Sequence, residues 1–467
     1  MENTGYKKAS LCYLVGNLFN KGLAFLTIPI FTRLLSTSDY GIINTYTSWI
    51  VITTLFMGMA LNMGLRNAFV DYNEDIKNYL SSIIKFTVLF SSTLTLLVFI
   101  IIKIFSIKVP LILVLLCLIH STSFAIIEDL STYYMMKFDY IKRSILMIVP
   151  NLLSVITAVI LIRFVLKDKL YYGKIIPDVL FNTVFAIALI ICYSGSKRIN
   201  KNYIKHGLKI SVPLILHGAA LNILSNSDRI MITWLADAPQ SGIYSLSYSL
   251  GMITYAITLS IDGIWIPWFI SKMNEKSYKE INSVTKDYIS LITYLMCCLI
   301  IVSPEILKLL ASEPYWDGIK IIPIIIAANF LFFAYNIYTN LEHYYKKSNQ
   351  ITALTIVAVV LNLILNYFFI PKFGYVAAAF TTAFSYLTVL ILHKIYSKTL
   401  NKDVFPIKLF VLPIVEILIF CVLFYLLIDL PIVRWIIAII YFCAVVFIQR
   451  QKIMTILLPT LKEKLGK

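Results

Sequence analysis

Residues 209–248 read KISVPLILHGAALNILSNSDRIMITWLADAPQSGIYSLSY, an apolar stretch interrupted by His217, Asn222, Asn226, Asp228 and Arg229. A charge at bilayer depth costs about 2.5–3.5 kcal/mol on insertion scales, so a chain keeps one there only beside a partner or a watery cavity. Asn222, Asn226 and Arg229 stand at i, i+4 and i+7 and share one helix face, which must look into protein or water rather than lipid. The same spacing recurs near the start of the chain. Asn17 and Lys21 lie four apart in one apolar span, Asn62 and Arg66 four apart at the end of the next, and Lys85 lies early in the third. No acidic residue falls within these three spans, so they predict a cationic interior suited to binding an anion. For Arg66 and Lys85 a second reading stands beside it, in which both sit at the cytoplasmic interface and touch lipid headgroups.

A longer polar row runs through the tenth apolar span: Asn329, Phe333, Asn336, Asn340 and His343, at steps of 4, 3, 4 and 3. Amides and an imidazole on one membrane-helix face give either a hydrated lining, where sugar hydroxyls exchange hydrogen bonds with water, or hydrogen bonds between helices worth about 0.6 kcal/mol each. Asn362 and Asn366 repeat the four-residue step. Asp129 (beside Glu128), Asp262, Glu342 and Glu416 are acids within apolar spans. A desolvated carboxylate can carry a proton across a membrane, and equally each can neutralise a nearby Lys or Arg; Asp129, Asp262 and Glu416 are retained as ion-coupling candidates. His120 and His217 read as satisfied core histidines. No nucleophile motif, phosphate-cradling loop or metal-spaced cluster is present, so the chain reads as no enzyme, with no cofactor and no metal. Without a nucleotide-binding motif, transport would not be driven by ATP bound to this chain.

The elements that must position these residues follow from composition. Hydrophobic residues form 59% of the 467, charged residues 14%, and mean hydropathy is +0.83, which predicts an all-α integral membrane protein. Stretches of about 20 apolar residues mark fourteen candidate spans, near 9–31, 42–65, 80–102, 109–128, 144–166, 175–194, 208–234, 243–270, 286–303, 319–341, 350–370, 375–396, 406–427 and 430–449. The net charge of +17 is spread over short loops, so it sets orientation rather than binding nucleic acid. Most of the 41 Lys and Arg residues fall on one side, which places both termini, and the tail 450–467, in the cytoplasm. The first span is too long for a cleavable signal and reads as a retained membrane helix. The seven cysteines lie in apolar spans and imply no disulfide framework. An ungapped offset of about 201 residues aligns Lys8 with Lys209, Ser10 with Ser211, Lys21 with Asn222, and Gly41-Ile42 with Gly242-Ile243. That is a two-fold internal repeat, a transporter signature. The implied division is a lobe over 1–200, a second over 201–400, and an appended helix pair with its tail over 401–467.

Two segments resemble a known family. Residues 33–46, RLLSTSDYGIINTY, and residues 227–248, SDRIMITWLADAPQSGIYSLSY, are similar to motifs of polysaccharide exporters and Wzx-type O-antigen flippases of the MOP superfamily, related to MATE and MurJ transporters. The resemblance implies two six-helix lobes around a cavity that opens alternately to each side of a bacterial inner membrane. Its cargo would be an oligosaccharide on undecaprenyl diphosphate, an O-antigen, lipopolysaccharide or other polysaccharide repeat unit, moved to the outer leaflet. Membrane lipid, a polysaccharide polymerase and a chain-length regulator are the implied partners. Basic cavity residues of such flippases would match Lys21, Arg66 and Arg229, with Asn17, Asn222, Asn226, Asn329, Asn336 and Asn340 toward the sugar. The residues agree in sign, because a diphosphate sugar needs fixed positive charge and many neutral donors and acceptors. A MATE-type cation antiporter would want carboxylates in the first-half cavity where Lys21 stands. A membrane polymerase would want a large external loop, and a scaffold would leave the mid-membrane charges without purpose.

Overall fold

The computed structural model describes residues 23, 25–107, 109–195, 198–400 and 404–447, all in helices and short connections with no strand among them. The helices are α1 (Phe25–Leu34), α2 (Thr37–Met57), α3 (Leu61–Asp71), α4 (Ile76–Ile104), α5 (Leu111–Met136), α6 (Tyr140–Ile160), α7 (Tyr171–Tyr193), α8 (Lys201–Leu235), α9 (Ala238–Asn274), α10 (Tyr278–Leu310), α11 (Ile322–Tyr344), α12 (Ser348–Thr399), α13 (Lys408–Leu426) and α14 (Pro431–Phe447). Among the described residues nine helices are long and apolar enough to cross a membrane, or eleven when two bent pairs each count as one span. This is fewer than the fourteen expected. The helices α1 and α14 are apolar but short, and α12 counts once although it holds two helices. A straight 52-residue helix would reach about 78 Å, more than twice the hydrocarbon core. Gly374 resolves the excess: at φ 61°, ψ −147° it leaves helical geometry and folds the run back on itself.

Backbone groups in a bilayer must be satisfied within the protein, and helices do this segment by segment. The outer helices therefore show apolar side chains to lipid: Leu96 and Ile104 on α4, Ile191 on α7 and Leu412 on α13 are all exposed. The most apolar window of α4 is only 11% buried, against 72% in the span that ends with α11.

Helix ends explain the first motif. Ser36 caps α2, accepting from the Asp39 amide at 3.0 Å and donating its hydroxyl to the Asp39 carboxylate at 2.5 Å. The other Asp39 oxygen accepts from the Tyr171 amide at 3.2 Å, so one carboxylate ties the starts of α2 and α7. The second motif has its own cap, with Asp237 accepting from the amide and side chain of Gln240 at 2.8 and 2.9 Å.

The chain forms two compact units, 1–242 and 243–467. In the first, α5 packs on α2 and α7, α6 packs on α7, and α8 packs on α2, α3 and α4. These contacts keep α8 with the first unit. Tyr79 of α4 bonds His206 of α8 at 3.1 Å, and His206 in turn meets Asp71 of α3 at 3.0 Å. In the second unit α11 packs on α12, and α10 packs on α11 and α13.

Candidate functional site

The α8 row holds together as the helical period requires. Asn226 donates its amide to the Asn222 carbonyl at 3.1 Å, and its side-chain oxygen accepts from the Arg229 guanidinium at 3.2 Å. Arg229 also donates to the Ser225 carbonyl at 3.3 Å, and all three row members are half-buried. The backbone beneath is anchored both from within the helix and from outside it. The Arg229 carbonyl accepts from Thr45 at 3.3 Å, Ser241 at 3.1 Å and Thr233 at 2.9 Å, while the Thr45 and Thr233 hydroxyls lie 2.6 Å apart. Close approach of α2 to the first turn of α9 makes this possible. A Cβ on Gly41 would collide with the Ala238 carbonyl, and one on Gly242 with the Thr37 carbonyl. Both obstacles are backbone atoms, so only glycine fits. Asp228, next to Arg229 in sequence, is buried.

The other described residues of the predicted set lie on several helices. Asn17 and Lys21 lie outside the described residues, as does the His217 side chain. Arg66 is exposed on α3 and forms no hydrogen bond or ion pair with any described residue. Lys85 donates to the Gly195 carbonyl at 3.0 Å, tying α4 to the α7–α8 connection. On α11, Asn336 and Asn340 are half-buried and their side-chain amides bond no described residue. Asn329 is buried against Gly251 with its amide nitrogen unpartnered. His343 is exposed. Of the acids, Asp129 is buried with one carboxylate oxygen unpartnered. Asp262 accepts from the Tyr288 hydroxyl at 2.9 Å, and Glu416 from the Tyr441 hydroxyl at 2.5 Å.

Three further arrangements are present; the sequence marks Asn362, Asn366 and Glu342 in two of them, but not their partners. In the first unit, a cavity of about 280 Å³ lies between α1, α2, α6 and α7, walled by Phe31, Tyr40 and Val155 and edged by Asn44, Asn151 and Lys174. Lys174 pairs with Asp178 one turn on, at 2.7 Å, and Asp178 also accepts from Ser154. Lys174 reads in sequence as a loop charge; the signal for more was an opposite-charge pair at i, i+4 entering an apolar span. In the second unit, Asn362 donates to Thr382 at 3.1 Å and accepts from Asn366 at 3.1 Å, and Thr381 bonds the Asn366 amide oxygen. Glu342 and His393 form a pair at 2.8 Å with both side chains fully buried.

Residues 7–273 match the family described as polysaccharide biosynthesis protein. No curated protein matches the chain. Among solved structures, the lipid II flippase MurJ in an inward closed conformation is similar at TM-score 0.64 and 18% identity, covering 95% of this chain and 100% of that one. A MOP superfamily transporter from Pyrococcus furiosus is similar at TM-score 0.56 and 12% identity, over 86% of this chain and 96% of that one. The Vibrio cholerae MATE transporter VcmN gives TM-score 0.56 and 12% identity, over 86% and 98%. These likenesses show a shared all-helical fold. With more than half of its length matched, the chain belongs to the polysaccharide biosynthesis protein family.

Proposed function

We propose that the protein is a flippase that carries a lipid-linked oligosaccharide from the cytoplasmic to the outer leaflet of a bacterial inner membrane by alternating access. The observation that carries the reading is the α11 row, in which Asn336 and Asn340 are half-buried amides with no hydrogen bond to a described residue and Asn329 keeps a buried nitrogen unpartnered. Unpaired amides in an apolar span are costly against acyl chains and useful against hydroxyls or water. Arg229, oriented by Asn226, supplies the fixed positive charge that a diphosphate requires. Lys21 and Asn17 are assigned the same role on the first span, and Arg66 the weaker one of an entry contact. Moving a sugar head through hydrocarbon unaided would cost several kcal/mol for each polar group stripped of water. In this reading the polyprenyl tail stays in the bilayer, the termini are cytoplasmic, and the product passes to a polymerase and its chain-length regulator. Asp129, Asp262 and Glu416 remain the proposed carriers of a coupling ion.

The test is a deletion strain complemented with wild-type, Lys21→Ala or Arg229→Ala protein. The expected result is loss of surface polysaccharide with accumulation of the lipid-linked unit on the cytoplasmic leaflet, at normal membrane levels of each variant. Unchanged surface polysaccharide in the deletion strain would overturn the reading. Unchanged polysaccharide together with heightened sensitivity to cationic drugs would favour the antiporter that shares this fold.

A further inference from the structure

We infer that the cavity between α1, α2, α6 and α7 is a subsite for one uncharged sugar ring of the cargo, separate from the groups that meet the diphosphate. The inference rests on the flippase reading and goes further in assigning the glycan to a place. Three observations select the ligand chemistry.

Charge comes first. The Lys174 ammonium sits 2.7 Å from the Asp178 carboxylate, so its charge is matched before any ligand arrives. A phosphate entering here would meet that carboxylate as well as the lysine. Spare donors come second. An ammonium has three N–H bonds, and Asp178 is the only described acceptor for Lys174, whose side chain keeps 19% of its surface. The Asn151 amide spends its nitrogen on the Met147 carbonyl at 2.9 Å, which leaves its oxygen to accept. An acyl chain filling the cavity would strip these groups of water and return no hydrogen bond, at several kcal/mol.

Shape comes third. Phe31 and Tyr40 line the cavity, and the Lys174 ammonium lies over the Phe31 ring, 5.5 Å from its centre, so aromatic and ammonium groups border one space. A sugar ring offers a C–H face to an aromatic wall and hydroxyls at its edge, which is the pairing this cavity provides. Its volume of about 280 Å³ is just below the roughly 300 Å³ at which small-molecule sites begin. One ring fits, and a whole repeat unit does not.

The experiment uses the full chain in detergent, carrying Asn151→Cys. Alkylation by N-ethylmaleimide is followed by mass spectrometry at that position and at Cys192, an exposed native cysteine on α7 whose rate is the internal control. The probes are methyl glycosides of glucose, galactose and N-acetylglucosamine, with pyrophosphate and decanol for comparison. At least one glycoside should slow alkylation at position 151, by about fivefold at four times its Kd, and leave Cys192 unchanged. If no glycoside protects, or if pyrophosphate or decanol protects as well, the assignment of a neutral sugar is overturned. Should N151C fail to insert, Val155→Cys on the same wall gives the same readout. In cells, Asn151→Phe fills the cavity and should abolish surface polysaccharide at normal membrane abundance. Surface polysaccharide retained by N151F but lost on deletion would remove the subsite and leave the flippase reading intact. Polysaccharide retained on deletion would remove the flippase reading itself.

Discussion

Glu342 and His393 test how the second unit handles buried charge. Glu342 Oε1 lies 2.8 Å from His393 Nδ1, both side chains are fully buried, and Tyr335 stacks on the imidazole at 5.6 Å. Glu342 Oε2 and His393 Nε2 have no hydrogen-bond partner, so the pair is only half satisfied. Desolvation and attraction nearly cancel for such a pair, whereas deleting one member strands the other at about 3–5 kcal/mol. His393→Leu and Glu342→Leu each strand the other member in a fully buried site, so each should fall within that range. The double leucine variant, which strands nothing, should lie within about 1 kcal/mol of the parent protein. Unfolding by sodium dodecyl sulfate titration in mixed micelles, read by far-ultraviolet circular dichroism, measures all four proteins of the cycle. Additive single costs in the double variant, or singles costing under about 1 kcal/mol each, would refute the reasoning.

Other expected outcomes concern packing and transport. Gly41→Ala places a methyl group against the Ala238 carbonyl and should cost at least about 3 kcal/mol or block accumulation, while Gly263→Ala, with open space around its Cβ position, should be neutral by the same titration. Arg434 is 2% exposed and bonds both oxygens of Glu305, which keeps 28% of its surface. Glu305→Gln strands the buried guanidinium and should destabilise more than Arg434→Met, which leaves a carboxylate that water can reach. If the charge of Arg229 rather than its forked geometry serves transport, Arg229→Lys should keep much of the surface polysaccharide that Arg229→Ala loses; equal loss in both would point to geometry.

Periodicity made the α8 row legible, because residues at i, i+4 and i+7 must share a face wherever the helix is placed. It did not show what holds that face. The anchors of the Arg229 carbonyl, Thr45 and Ser241, lie far away or beyond a turn, and local spacing carries no trace of them. Gly41 and Gly242 were visible as matched positions, and only coordinates show each set against the backbone near the other. Hydropathy alone separated 350–370 from 375–396, where the backbone turns at Gly374. It failed for Lys174, because counting charges by loop assigns a lysine to orientation even when its side chain lines a cavity. For Arg66 the helical spacing was sound, yet a face pattern says nothing about what lies opposite, and the residue is exposed.

The amide-hydroxyl ladder across the α12 fold has an electrical consequence. Asn362, Asn366, Thr381 and Thr382 are buried and interlocked, and none carries a formal charge in any protonation state they reach. An elementary charge crossing a membrane potential gains or loses about 2.3 kcal/mol per 100 mV, but a neutral ladder feels almost none of that field. The joint at Gly374 therefore keeps its grip whether the cell is energised or depolarised, and any voltage sensitivity of the cycle has to originate at other side chains.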